Sequence, residues 1–195
     1  FSIGTLGFEQ ARLQKLTENA PKLPVFNCSD SIPLLQNDHR HDDKAHPDDG
    51  IDLHTWMSTT SGKQIAHNVL RALCQVDSAN AALYQHRHDS LVHHIDSLDN
   101  TIRKQLRPLT HRTFMIYHPA LGYFARDYGL QQVSVEQDGR EPSAERMQQL
   151  ILQAQREKVK VVFIQEEQAG RAAKRIAESE KTKIISIAPL SAEWD

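Results

Sequence analysis

Histidine is the residue type that most clearly offers chemistry in this sequence, with 11 copies among 195 residues. Imidazole is the commonest protein ligand for borderline metal ions, and it titrates near neutral pH. His118 directly follows a predicted strand over 113–117, and Pro119 fixes the backbone where the next helix starts. Open parallel sheets bind their ligands at this carboxyl end of the strands. The position suits a metal ligand, and it suits a histidine packed at a strand end equally well.

His54 is the second histidine at a position suited to metal binding. It lies in the segment 51–56, after a polar stretch and before a predicted helix, and Trp56 beside it could limit access of solvent. A lone histidine of this kind is more often structural, so its interest depends on pairing with His118 across a cleft. Zinc held by two neutral imidazoles would still need one or two further ligands.

The polar stretch 36–50 combines three histidines with five aspartates and has hardly an apolar side chain. Such a segment cannot bury itself, so we expect a mobile surface loop. Its composition fits two interpretations, a merely solvated loop or an auxiliary site that weakly scavenges metal. The histidines concerned are His39, His41 and His46.

Catalytic machinery is not visible in the sequence. It contains no His-Glu-x-x-His helix, no Gly-rich phosphate loop and no Gly-x-Ser-x-Gly turn. Cys28 and Cys74 have no nearby histidine to activate them and are expected to be buried small residues. The net charge is -2, and the acidic and basic residues are interspersed, so the sequence has no basic cluster that would bind the phosphates of nucleic acid. No apolar run is long enough to cross a bilayer. We therefore predict a folded protein that is not an enzyme and does not bind nucleic acid.

The elements that must position the histidines follow from the spacing of apolar residues. Helices are predicted at 9–20 and 61–76, with a short strand at 24–26 between them. Beyond residue 108, strands alternate with helices, which requires crossover connections and a parallel sheet. The predicted strands there are 113–117, 132–136, 159–165 and 183–187, and the predicted helices are 120–128, 143–158 and 170–180.

A long helix of about 28 residues is predicted between these two regions, because no Gly or Pro interrupts the chain from Asp77 to Pro108. Asp77 and Ser78 are suitable N-cap residues. The apolar stripe of the helix is formed by Leu91, Ile95, Leu98 and Ile102. Of the histidines on this helix, His86 and His93 point away from the stripe and His88 and His94 flank it, which favours a solvated face over a metal site.

Three segments resemble the zinc and manganese solute-binding proteins of bacterial ABC importers. The run YHPALGYFARDYGL at 117–130 looks like the family's signature, DLHTWMS at 52–58 resembles its Asp-Pro-His-x-Trp-Leu-Ser segment, and LGFE at 6–9 resembles an earlier Gly-Phe-Glu element. The histidine-rich loop lies between the two last-named segments, as it does in zinc-type members. The resemblance covers nearly the whole chain.

The resemblance implies an α/β fold of two lobes with parallel sheets joined by a long connecting helix. The corresponding division is a first lobe over 1–77, the connecting helix over 78–107 and a second lobe over 108–195. The family's first ligand histidine precedes its Gly-Phe-Glu element, and nothing before Phe1 supplies it. The first lobe is therefore expected to be incomplete.

The resemblance also implies a function and a metal. His54 matches the family's second ligand and His118 its third, where manganese-type relatives usually have Glu, so zinc is favoured over manganese. The family's late carboxylate ligand is replaced by Ala188. The implied role is extracytoplasmic capture of zinc, in the periplasm or on a lipid anchor, and its delivery to a membrane permease by a monomer. The alternatives are a zinc-dependent hydrolase and an adhesion or interaction module with incidental metal binding.

Overall fold

A computed structural model describes residues 1–4, 6–36, 50–136, 139–165, 171–180 and 182–188. The chain divides into two compact units, Phe1–Gln105 and Leu106–Asp195. The histidine-rich residues 37–49, including His39, His41 and His46, lie outside the described residues, so both interpretations of that loop remain predictions. Within the described residues, no helix combines the length and apolar character needed to cross a membrane.

The first unit is built on three helices: α1 (Gly7–Asn19), α2 (Thr59–Val76) and α3 (Ala81–Leu106). A short 3₁₀ turn, Ser78–Asn80, precedes α3, so the long helix begins later than predicted. The carboxylate of Asp77 accepts hydrogen bonds from Asn80 Nδ2 and Tyr84 Oη, both at 2.7 Å. These bonds hold the tight turn in place of a simple cap.

The face that α3 turns toward α2 differs from the predicted apolar stripe. Leu91 and Leu98 are 41% and 48% exposed, whereas Ile95 and Ile102 are half-buried. Polar contacts join the helices instead: Lys63 Nζ donates to Asp96 Oδ1 and Thr59 Oγ1 donates to Asp99 Oδ1, both at 2.8 Å. The stripe prediction was therefore half wrong, because these acidic residues occupy part of the packing face.

The predicted strand over 24–26 is not formed. Pairing in this region consists of a single parallel bridge between Ser2 and Asn27, in which Ser2 N–H donates to Phe26 O at 3.0 Å and Cys28 N–H donates to Ser2 O at 2.7 Å. A second isolated bridge, antiparallel, joins Gln36 to Ile51 on either side of the loop. An extended segment becomes a strand only where its partner continues the ladder, and here the pairing extends over one residue.

The second unit is an α/β structure with a parallel sheet. Its elements in chain order are β1 (Thr113–Ile116), α4 (Gly122–Tyr128), β2 (Gln131–Ser134), α5 (Ala144–Arg156), β3 (Val161–Gln165), α6 (Arg171–Glu180) and β4 (Lys183–Ile187). The four strands lie in the order β2-β1-β3-β4 and all neighbouring pairs are parallel. The predicted α/β class and the strand–helix alternation are confirmed. The two central strands thus have a neighbour on each side.

The core of the second unit lies on both faces of this sheet. On one face, Met115 and Val162 are fully buried against Leu150 of α5 and Ile176 of α6. The other face is covered by α4 around a smaller cluster, in which Phe114 contacts Phe163 edge to face with ring centroids 5.7 Å apart. Packing on two faces fixes the strands, and therefore fixes the residues that follow them.

Candidate metal centre

His54 is held in a tight turn by a buried aspartate two residues before it. Asp52 Oδ1 accepts the backbone N–H of His54 at 2.9 Å and also lies 2.7 Å from Nδ1 of the same histidine. The Asp52 side chain is 4% exposed and the His54 side chain 22% exposed. Aspartate commonly binds a backbone N–H two residues later in turns. One carboxylate oxygen here sets both the main-chain position and the direction of the ring.

The surroundings of His54 anchor this turn to the first unit. The buried Thr55 hydroxyl lies 3.0 Å from Ser29 Oγ, and Ser58 caps α2 by accepting from Ser61 N–H at 3.0 Å. The ring of Trp56 lies beside the imidazole of His54, with centroids 5.5 Å apart. The turn is therefore fixed on both sides of the histidine, and an aromatic ring shields one side of the imidazole, as the sequence predicts.

His118 lies at the carboxyl end of β1, where hydrogen bonding to both neighbouring strands continues past the last strand residue. Tyr117 N–H donates to Phe163 O at 2.8 Å on one side, and Glu136 N–H donates to Tyr117 O at 3.1 Å on the other. Burial raises the pKa of the Tyr117 phenol, and the carboxylates of Glu141 and Glu136 act in the same direction. Tyr117, the residue before His118, is thus buried and neutral, and its backbone hydrogen bonds fix the chain at this point.

The imidazole of His118 is paired with a buried glutamate from the neighbouring strand end. Its Nδ1 lies 2.6 Å from Glu136 Oε1, and the glutamate side chain is 7% exposed while the histidine side chain is 37% exposed. Gln165, at the end of β3, donates its Nε2 hydrogen to the carbonyl oxygen of His118 at 3.2 Å. Residues from three adjacent strand ends therefore position one histidine.

The two histidines share one chemical arrangement. A carboxylate oxygen only accepts hydrogen bonds, so Asp52 and Glu136 each hold the hydrogen on Nδ1 and place the lone pair of the neutral imidazole on Nε2. Metal-binding histidines typically donate their second ring nitrogen to such a carboxylate, which orients the ring and raises its basicity. The donor sets around His54 and His118 therefore fit a borderline cation such as zinc.

His88 is the one other histidine in the described residues with a carboxylate contact at Nδ1, 3.0 Å from Asp89 Oδ1, but that carboxylate is 63% exposed and not buried. His86 and His93 are exposed on α3, as predicted, whereas His88 is half-buried, with its ring centroid 6.0 Å from that of His67. In the described part of the chain, no three His, Cys, Asp or Glu side chains are grouped to hold a metal ion. The assignment of His54 and His118 as ligands stays a prediction.

The cysteines offer no thiolate site. Both are free, with Cys28 buried as predicted and Cys74 only half-buried. Burial raises the pKa of the Cys28 thiol. Because the thiolate is the form that binds metal and attacks substrates, burial and the raised pKa both disfavour a reactive role for Cys28.

A larger cavity lies away from His118. Its volume is about 480 Å³, and it opens at the amino ends of β1 and β3, lined mainly by apolar side chains that include Phe114, Phe124 and Phe163. Its lining residues include neither His118 nor Glu136 or Gln165, two residues whose side chains contact His118. The volume of a cavity therefore does not point to the candidate metal ligands, whereas the pairing of histidines with buried carboxylates does.

Sequence reasoning missed the partners of both histidines. Asp52 could have been found, because an aspartate two residues before a histidine is a local turn signal. Glu136 and Gln165 lie 18 and 47 residues from His118 along the chain. Their approach depends on β2 and β3 both lying next to β1, and no local pattern specifies that order.

The sequence matches a known protein family over nearly its whole length. Residues 1–194 match the model of the family described as ZnuA, the periplasmic component A of a zinc-uptake complex. The high-affinity zinc uptake system protein ZnuA of Bacillus subtilis is 26% identical over 140 residues, which are 70% of this chain and 44% of that protein. The zinc-binding protein AdcA of Streptococcus pyogenes serotype M3 is 25% identical over 159 residues, which are 78% of this chain and 31% of that protein.

Two solved structures of ZnuA are similar to this chain in fold. A crystal structure of ZnuA superimposes with a TM-score of 0.84 at 29% identity and covers 97% of this chain, while the chain covers 71% of ZnuA. A ZnuA deletion mutant with zinc bound gives a TM-score of 0.84 at 30% identity, covering 97% of this chain and 70% of the mutant. The matched part of the chain spans 31% and 44% of the length of the two curated relatives named above.

Proposed function

The chain belongs to the family of periplasmic zinc-uptake component A proteins, and from this membership we propose that it captures zinc outside the cytoplasm and delivers it to an ABC-type importer. Members of this family are metal-binding components of transport systems, not an enzyme class. The finer points of the proposal are the metal, its ligands, the permease partner and a location in the periplasm or on a lipid anchor.

His54 and His118 are the proposed zinc ligands, and the observation that carries this assignment is their shared pairing with buried carboxylates. Nδ1 of each ring lies 2.6–2.7 Å from Asp52 or Glu136. Each Nε2 is then oriented before an ion arrives. Zinc favours about four ligands, so the remaining positions are taken by water or by donors outside the described residues. Ala188, which replaces the family's late carboxylate, has no donor side chain.

Zinc is favoured over manganese by this donor set. Imidazole suits borderline cations, whereas manganese prefers carboxylate and other oxygen ligands, and affinity for a given nitrogen site rises from manganese toward zinc. A zinc-dependent hydrolase would also need a general base near the metal. The two carboxylates next to the histidines are already used to orient them, which favours binding and release of the ion over chemistry on a substrate.

Zinc titration of the full chain in competition with a chromophoric chelator tests the proposal. We expect one zinc per chain in this assay, at least about tenfold weaker binding in His54→Ala or His118→Ala, and loss of binding in the double variant. His93→Ala is the matched control, because His93 is exposed on α3. A double variant that binds zinc like the unaltered chain would show that the ligand assignment is wrong.

Delivery to an importer needs a separate experiment. Vesicles that contain the cognate permease should take up zinc only when the zinc-loaded chain is present outside them. The double histidine variant should not support uptake. Uptake that is equally fast without the chain would contradict the transport part of the proposal while leaving zinc binding intact.

A further inference from the structure

Gln165 has a fixed orientation next to the proposed ligand His118. It is the last residue of β3, and its side-chain Nε2 donates to the carbonyl oxygen of His118 at 3.2 Å. A carbonyl oxygen can only accept hydrogen bonds, so the amide cannot be turned around without losing this contact. The orientation of the amide directs Oε1 away from the His118 carbonyl.

The oxygen at the other end of this amide is buried and lacks a partner. Within the described residues, Gln165 Oε1 has no hydrogen-bond donor although it is inaccessible to solvent. Buried acceptors in native proteins are nearly always satisfied, and an exception calls for an ion or a water molecule. Gln165 Oε1 is therefore an unsatisfied acceptor at the end of β3, one of the three strand ends that position His118.

We propose that Gln165 Oε1 accepts a hydrogen bond from a water molecule bound to the zinc ion at His118, which makes Gln165 a positioning residue of the zinc site. This inference rests on the proposed function. Zinc polarises its bound water, so that water donates strong hydrogen bonds and requires a well-placed acceptor. Such a hydrogen bond would satisfy the orphaned oxygen and would hold the water in place beside the ion.

Two substitutions separate this role from simple support of the His118 backbone. Gln165→Glu keeps an acceptor oxygen but loses the Nε2 donor, and Gln165→Met keeps the size but loses both. If the acceptor matters, Gln165→Met should bind zinc about 10–100-fold more weakly, while Gln165→Glu should stay within about threefold of the unaltered chain. Gln149→Met, on the exposed side of α5, is the matched control.

Thermal unfolding of the variants without and with zinc gives a second readout. Gln165→Met loses the donor to the His118 carbonyl whichever role the amide has, so its unfolding midpoint without zinc should fall only slightly. If the acceptor contacts zinc-bound water, the extra stabilisation that zinc gives the unaltered chain should also be largely lost. A purely structural role predicts a lower midpoint without zinc and an unchanged stabilisation by zinc.

The outcomes are distinct. Equal weakening in both Gln165 variants would show that the amide serves only as a donor to His118, and unchanged binding in Gln165→Met would show that it has no role; either result overturns the inference. Adding Gln165→Met to His118→Ala should cause no further loss if both act on one ion. An unaltered chain that binds no zinc would instead refute the proposed function, and this inference with it.

Discussion

Replacing Glu136 by Gln tests whether a buried carboxylate tunes the proposed ligand His118. The substitution keeps the size of the side chain and an oxygen that can accept from Nδ1, but it removes the negative charge. The contact is 2.6 Å long and the glutamate side chain is 7% exposed, so little solvent screens the charge on the ring. Loss of such a partner typically weakens metal binding about 10–100-fold, which corresponds to about 1.4–2.7 kcal/mol.

The expected result for Glu136→Gln lies near the lower limit, about tenfold, because the amide oxygen still fixes the tautomer. Chelator competition measures the affinity, and nitrogen NMR of the imidazole reports whether Nδ1 keeps its hydrogen. Removing a buried charge relieves its desolvation cost, so the unfolding free energy should change little. Glu178→Gln, on the exposed side of α6, is the control. If Glu136→Gln binds zinc within about twofold of the unaltered chain while His118→Ala binds at least about tenfold more weakly, the carboxylate has no tuning role.

Three further predictions concern the fold. Asn68→Ala removes donors that bind two backbone carbonyls of the 28–30 segment at 2.8 and 2.9 Å, and should lower the unfolding free energy by about 1–3 kcal/mol in urea titrations; an unchanged midpoint would mean that water replaces the amide. Gly129 ends α4 at φ +62° with open space around an added Cβ, so Gly129→Ala should cost about 1 kcal/mol from backbone strain alone, and a gain in stability would contradict that reason. Hydrogen bonds from Asn80 and Tyr84 lower the pKa of Asp77 below its ordinary value. The stabilisation from these hydrogen bonds is fully present above the pKa of the unfolded chain and is lost as pH falls through the lower pKa of the folded chain, so Asp77→Asn should flatten the stability profile below about pH 5, and an unchanged slope there would refute the assignment.

Local patterns were sufficient where one element determines its own structure. Residues 183–187 were predicted as a strand and form β4 over Lys183–Ile187, because three β-branched isoleucines within five residues favour a strand. Gly129 marked the end of α4 correctly, since a left-handed residue closes the helix.

Partnerships between distant segments could not be read from the sequence. Apolar spacing placed Leu98 on the packing face of α3, but Asp96 and Asp99 share that face because α2 offers Lys63 and Thr59 as partners. Likewise His118 was predicted as a candidate ligand from its position after β1, while its glutamate partner depends on which strand lies beside β1. The sequence therefore predicts the ligand candidates better than the groups that orient them.

The single carboxylate oxygen of Asp52 that binds both the backbone N–H and the ring of His54 has a kinetic consequence. Ordering a mobile side chain during association typically costs about 0.5–1.5 kcal/mol of rotational entropy. For His54 this loss occurs when the chain folds, well before an ion arrives. Encounter with zinc then requires no slow rearrangement of this ligand, so the observed association rate should rise in proportion to zinc concentration without reaching a plateau set by His54.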